Sequence, residues 1–129
     1  MNIWYQTLTK PPFTPPATYF PIAWGILYAL MAISFLVILT KPKSLDKYFA
    51  LSFFVTQLVF NFLWSYIFFE LKLINIALLD VILIFIFLIL TLIYTFKISK
   101  LAFWLLIPYL LQVIFAIYLN FGILMLNKN

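Results

Sequence analysis

The chain has 129 residues, of which 67% are hydrophobic and only 9% are charged, against roughly 25% charged residues in a soluble domain. So few charges cannot cover a surface in water, and the composition therefore predicts an integral membrane protein. Cysteine and histidine are absent, which excludes disulfides, thiolate or imidazole catalysis and zinc sites built on these residues. The net charge of +5 comes from lysines at the ends of apolar runs. No nucleic-acid partner is expected, because basic patches interleaved with aromatic residues are missing.

Residues 1–18 are rich in proline and aromatic side chains, and they are too short and too polar to cross a bilayer. Prolines fill most of positions 11–16, which excludes a helix there and favours an extended path. No basic stretch precedes an apolar one, so no cleavable signal peptide is expected. We expect this segment to lie at the membrane interface, either as an aromatic anchor or as a lid over the mouth of a helical bundle.

Four apolar runs follow, at about residues 19–40, 47–69, 73–96 and 101–125. Each is long enough to cross a hydrocarbon core of about 30 Å as a helix. The connections are short, so helices that are neighbours in sequence should be antiparallel. The sequence predicts an all-α fold, a bundle of four transmembrane helices in a single domain over 1–129.

The loop signals also predict the helix starts and the orientation. Pro42 should end the first spanning helix, and Ser44 or Asp46 is placed to cap the next. The lysines divide between the two ends of the bundle: Lys41, Lys43, Lys47, Lys97 and Lys100 at one, and Lys10, Lys72 and Lys128 at the other. The positive-inside rule then predicts cytoplasmic loops at 41–47 and 97–100. We expect a multi-pass protein of a bacterial cell membrane.

The second spanning run contains a polar stripe. Gln57, Asn61 and Trp64 stand at i, i+4 and i+7, so a helix places them on one face. Amides inside lipid are costly unless they face protein, water or a ligand. Two interpretations stay open: hydrogen bonding between helices, or the wall of a ligand cavity. Ser52 and Thr56 form a small-xxx-small face, which hints at a homodimer.

Asp80 lies about two turns inside the third spanning run. A carboxylate at that depth costs roughly 3 kcal/mol unless it is paired or protonated. It is either a structural hydrogen-bond acceptor or a group for proton-coupled transport. No acid–base pair, activated nucleophile, metal cluster or phosphate loop can be assembled from these residues, so we do not expect an enzyme. An interior of aromatic and amide side chains suits a flat, mostly apolar ligand.

Motifs along nearly the whole chain, in the same order, resemble the TspO/translocator protein family of tryptophan-rich sensory proteins. The matching residues are Trp4-Tyr5, Lys10-Pro11, Phe13 and Pro15-Pro16, then Pro21, Trp24, Tyr28 and Met31, then Gln57, Asn61, Trp64 and Phe68-Phe69, then Asp80, and finally Pro108-Tyr109, Phe115-Ala116 and Asn120.

The resemblance implies a receptor or transporter that binds tetrapyrroles such as protoporphyrin IX or haem, and other bulky apolar ligands, for transport or stress sensing. The resemblance implies no cofactor apart from the tetrapyrrole, which is bound as a ligand. By motif, the pocket residues are Trp24, Tyr28, Gln57, Asn61, Trp64, Asp80, Phe115 and Ala116. The loop lid is Trp4, Tyr5, Phe13 and Pro15.

Three features depart from the family pattern. The family usually has five transmembrane helices and this chain begins at the loop after the first, so we expect either that the first helix is missing or that the start assigned to the chain is too late. Gln112 stands where the family commonly has a second pocket tryptophan, so porphyrin breakdown is not expected. Phe121 and Met125 occupy the positions of the sterol-recognition pattern, so sterol binding is not expected there. Two alternatives to a tetrapyrrole protein are a small proton-coupled exporter that uses Asp80 and a structural membrane subunit that binds no ligand.

Overall fold

The computed structural model describes residues 3–16 and 18–127, and its regular structure is helical. The helices in chain order are α1 (Ile3–Thr7), α2 (Tyr19–Leu39), α3 (Leu45–Ser65), α4 (Ile74–Ile98) and α5 (Lys100–Leu126), with a π-helical turn (Tyr66–Glu70) that continues α3. Four segments are long and apolar enough to cross a membrane: Tyr19–Leu39, Leu45–Glu70, Ile74–Ile98 and Lys100–Leu126. The predicted all-α membrane bundle with four spanning helices is confirmed.

Local caps explain where the helices begin. Of the two predicted candidates, Ser44 caps α3: its hydroxyl oxygen accepts a hydrogen bond from the backbone N–H of Lys47 at 3.1 Å. Ser99 caps α5 in the same way and accepts from Ala102 N–H at 3.1 Å. Each cap satisfies a backbone donor that a helix start leaves unpaired. Because Ser99 alone separates α4 from α5, these helices form a tight antiparallel pair.

The N-terminal segment contains a short helix that the sequence did not predict. α1 lies before the prolines, and Thr7 Oγ1 donates to the Trp4 carbonyl at 2.6 Å. The residues of the proline stretch 11–16 are not helical, as expected from the fixed φ and missing N–H of proline.

The bundle packs unevenly. α3 packs on α4, and α5 packs on both α4 and α2, whereas α2 and α3 contact each other little. Aromatic rings bring α3 against α4, with Phe53 and Phe60 stacked on Phe87 at 6.1 and 5.7 Å. The sparse contact between α2 and α3 leaves space that other side chains must fill or a guest molecule can occupy.

The two ends of the bundle are distinct. Ser34 Oγ donates to the Ala102 carbonyl at 2.9 Å, and Asn120 Nδ2 donates to the Ile74 carbonyl at 3.0 Å. The loops 40–44 and Ser99 therefore share one end, and the loop 71–73 lies at the other. The described lysines divide between the ends as predicted; Lys128 lies outside the described residues.

The N-terminal segment packs across the second end, against the end of α5. Thr9 N–H donates to Asn127 Oδ1 at 3.0 Å, and Asn127 Nδ2 donates to the Thr9 carbonyl at 2.7 Å. Tyr118 OH donates to the Pro12 carbonyl at 2.6 Å. Pro11 packs so closely on α5 that a Cβ atom at Gly122 would lie 2.7 Å from its Cγ.

We predict that Gly122→Ala loosens this docked segment, because the proline ring is tied to the backbone and must move as a unit. Hydrogen–deuterium exchange of the Thr9 amide should be faster in the variant than in the wild type. Gly25→Ala is the matched control, since a Cβ there would meet nothing within 4 Å. Equal exchange in Gly122→Ala and wild type would show that the close approach does not hold the segment.

Candidate functional site

A cavity of about 290 Å³ lies under α1, between α2, the end of α3 and α5. Its wall is mostly aromatic and aliphatic, and none of its described residues is charged. The lining residues are Tyr5, Phe20, Pro21, Trp24, Trp64, Phe68, Phe69, Gln112, Ala116, Leu119, Asn120 and Ile123. The predicted pocket residues among them are Trp24, Trp64 and Ala116, with Tyr5 from the predicted lid.

The π-helical turn builds one aromatic wall of this cavity. Phe68 stacks on Trp64 with ring centroids 5.0 Å apart and planes 19° apart, and Phe69 meets Trp64 edge-on at 5.9 Å. In an α-helix, residues i and i+5 point in different directions, whereas a π-helical turn pairs i with i+5. The Leu71 N–H accordingly donates to the Tyr66 carbonyl at 3.0 Å. Phe68, at i+4, would share the face of Trp64 in an ordinary α-helix, and the π-helical turn brings Phe69, at i+5, to the same ring as well.

α1 forms the roof. Tyr5 is 8% exposed and packs against Phe20 and Phe69 at 6.1 and 5.8 Å. Trp4 lies outside the cavity but meets Phe68 edge-on at 5.4 Å. Burial raises the pKa of the Tyr5 phenol, so the ring stays neutral in the wall. The Lys10 ammonium lies 4.7 Å from the centroid of the same ring.

Gln57 and Asn61 lie in a hydrogen-bond network between helices. Tyr28 OH donates to Asn61 Oδ1, and Asn61 Nδ2 donates to Tyr109 OH at 2.7 Å. Tyr109 OH donates in turn to Gln57 Oε1 at 2.7 Å. Of the two interpretations that the stripe allowed, hydrogen bonding between helices describes these two amides.

Trp64 differs from the two amides on its stripe because it both forms a hydrogen bond between helices and lines the cavity. Its indole Nε1–H donates to Asn120 Oδ1 at 2.9 Å, while its ring lines the cavity. Asn120 Nδ2 is engaged as well, with the Ile74 carbonyl. The polar edge of the indole is thus satisfied by protein, and its apolar face is left for a guest.

The other predicted pocket residues lie outside the cavity wall. Tyr28, Gln57 and Asn61 are in the network. Phe115 stacks on Tyr118 at 6.1 Å. Asp80 is 5% exposed, and its Oδ2 has no hydrogen-bond partner among the described residues.

The predicted lid residues also separate. Phe13 adopts a left-handed φ of 68° and is 90% exposed. Phe13 and Pro15 both line a second, more open hollow of about 570 Å³ at the outer face of the N-terminal segment. Tyr5 borders both spaces, so its ring separates the inner cavity from the outer hollow.

Sequence reasoning missed much of the α5 wall. Ala116 was predicted, but Gln112, Leu119 and Ile123 were not assigned to the pocket, although they recur with Ala116 at helical spacing. Phe68 stands at i+4 from Trp64 and could have been grouped with it, whereas Phe69 could not, because no sequence pattern predicted the π-helical turn. No group of three or more His, Cys, Asp or Glu side chains in 3–16 and 18–127 could hold a metal ion.

Fold and site together define a multi-pass helical membrane protein with an aromatic cavity under its N-terminal segment. The sequence model of the TspO/MBR family matches residues 1–126. The chain belongs to this family, as its motifs suggested.

Relatives match over nearly the whole chain. The tryptophan-rich protein TspO of Archaeoglobus fulgidus is 42% identical over 127 residues, covering 98% of this chain and 82% of the relative. The tryptophan-rich protein TspO of Chlorobaculum tepidum is 40% identical over 125 residues, covering 96% of this chain and 79% of the relative. The tryptophan-rich sensory protein of Cereibacter sphaeroides is 36% identical over 126 residues, covering 98% and 78%. The chain is thus similar to sensory membrane proteins of this family and lies in the lipid bilayer.

We predict that Tyr109→Phe destabilises the bundle, because it leaves Asn61 Nδ2 and Gln57 Oε1 without their partner. The expected loss is about 1 kcal/mol or more, measured as a lower midpoint of thermal unfolding in detergent. Tyr48→Phe is the control, since Tyr48 is 65% exposed. An equal loss in both variants would show that the network is not what Tyr109 contributes.

Proposed function

We propose that this protein binds planar, bulky and mostly apolar molecules, tetrapyrroles among them, in the cavity under α1, and that it senses or translocates them without enzymatic chemistry. The observation that carries the proposal is that two indole rings, Trp24 and Trp64, line one uncharged cavity inside the membrane domain. Aromatic side chains favour offset or edge-on contacts with flat rings.

The wall chemistry supports a neutral, flat ligand body. Phe68 and Phe69 extend the aromatic surface next to Trp64, and none of the residues described in the wall is charged. Pockets of this kind are mostly apolar with a few polar groups that orient the ligand. Gln112 and Asn120 are the amides of this wall.

The size of the cavity sets how a tetrapyrrole would bind. About 290 Å³ is near the lower limit of small-molecule pockets, roughly 300–1,000 Å³. A few fused rings fit inside, whereas a tetrapyrrole would extend past Tyr5 into the outer hollow. Lys10 lines that hollow and would pair with a carboxylate on the edge of the ring. Such binding requires α1 to move outward.

We also propose an orientation in the membrane and a contact between two copies of the chain. The lysines at 41–47 and 97–100 support a cytoplasmic position for these loops by the positive-inside rule, and the proposed membrane is that of a bacterial cell. The Ser52–Thr56 face of α3, on which Thr56 Oγ1 donates to the Ser52 carbonyl at 2.8 Å, is the proposed contact of a homodimer.

We predict that Trp64→Ala and Trp24→Ala each weaken binding of protoporphyrin IX roughly tenfold, which corresponds to a loss of about 1.4 kcal/mol. Binding is measured in lipid nanodiscs by quenching of tryptophan fluorescence. Trp104→Ala is the matched control, because that indole is 62% exposed and lies away from the cavity. Equal affinities in all three variants would contradict this assignment.

Asp80 supports a second candidate, proton-coupled transport. A buried carboxyl oxygen without a partner among the described residues is the kind of intramembrane group that proton relays use. Proton-driven uptake of protoporphyrin IX into proteoliposomes should then be lost in Asp80→Asn. Uptake should be kept in Glu70→Gln, which alters an exposed acid. Equal uptake in both variants would leave Asp80 as a structural group.

A further inference from the structure

Gln112 presents half of its amide to the cavity. The side chain is 7% exposed, and its Oε1 accepts a hydrogen bond from Tyr19 OH at 2.9 Å. Its Nε2 has no hydrogen bond within the described residues, yet it is not among the fully enclosed atoms that lack a partner, which are Gln57 Nε2, Asp80 Oδ2 and Thr95 Oγ1. Since Gln112 lines the cavity, its N–H groups border that space.

Asn120, the other amide of the wall, is different. Its Oδ1 accepts from Trp64, and its Nδ2 donates to the Ile74 carbonyl. Both halves of that side chain are therefore engaged with protein. The contrast leaves Gln112 as the wall amide with donor capacity for a guest.

We propose that Gln112 selects planar apolar ligands that carry a neutral hydrogen-bond acceptor, a ring carbonyl such as that of an aromatic ketone or quinone. This inference rests on the proposed function of the cavity and adds the chemistry that the cavity prefers. An amide NH₂ can only donate, which sets the need for an acceptor. Since none of the described wall residues is a cation to pair with a carboxylate, the acceptor inside the cavity is uncharged.

Tyr19 is the positioning residue in this arrangement. Its hydroxyl donates to Gln112 Oε1, which directs the amide oxygen toward Tyr19 and the NH₂ group toward the cavity. A hydrocarbon guest would leave the NH₂ group unpaired in a closed apolar space, and such unpaired groups are costly. The wall thus discriminates against guests without an acceptor as well as favouring those that have one.

The test compares 9-fluorenone with fluorene, two rigid tricycles that differ at the carbonyl. The full chain in nanodiscs is titrated with each, and the affinity ratio of ketone to hydrocarbon is compared between variants so that partition into lipid cancels. Gln112→Leu should lower this ratio by about 2- to 12-fold, the value of one net hydrogen bond. Gln112→Met, which keeps the length of the side chain, should do the same. Asn75→Leu, which alters an exposed amide, should leave the ratio unchanged.

A second readout separates hydrogen bonding from packing. The carbonyl stretch of bound fluorenone should lie at a lower wavenumber in wild type than in Gln112→Leu, and Tyr19→Phe should give an intermediate shift. An unchanged ratio and an unchanged stretch in Gln112→Leu would overturn this inference while the proposed function stands. If wild type binds neither tricycle nor protoporphyrin IX, the proposed function fails and this inference fails with it.

Discussion

The buried hydroxyl of Tyr109 is the interaction on which the arrangement of this bundle depends. It accepts from Asn61 and donates to Gln57, so it joins α5 to α3, and Tyr28 extends the network to α2. Inside lipid, polar groups must find partners within the protein. This network pairs Gln57 Oε1 and both ends of the Asn61 amide with protein groups, and neither residue lines the cavity.

The cavity follows from two local departures from regular helix packing. α2 and α3 contact each other little, and the π-helical turn at the end of α3 brings Phe69 to the ring of Trp64, beside Phe68. π-helical turns are often found at functional sites. The uncharged aromatic wall is therefore built by local geometry as much as by composition.

Hydropathy was sufficient to predict the four spanning helices, because apolar runs of bilayer length between short polar loops have few other solutions. The loop positions also assigned the described lysines to the ends of the bundle at which the structure has them. Hydropathy could not decide what Gln57 and Asn61 face, since that depends on Tyr109, far along the chain. The position of Trp64 on the cavity could be inferred from its stripe, whereas the left-handed φ of Phe13 and the π-helical turn are features of backbone geometry that no residue pattern specified.

The mutual pair between Thr9 and Asn127 ties the two ends of the described chain across the top of the bundle. Exposed hydrogen bonds of this kind contribute about 1 kcal/mol each, far less than the packing of a spanning helix. The Thr9–Asn127 hydrogen bonds can therefore break and re-form while the four spanning helices stay folded. Opening of the N-terminal segment is then a local event at one end of the bundle, separate from unfolding of the spanning helices.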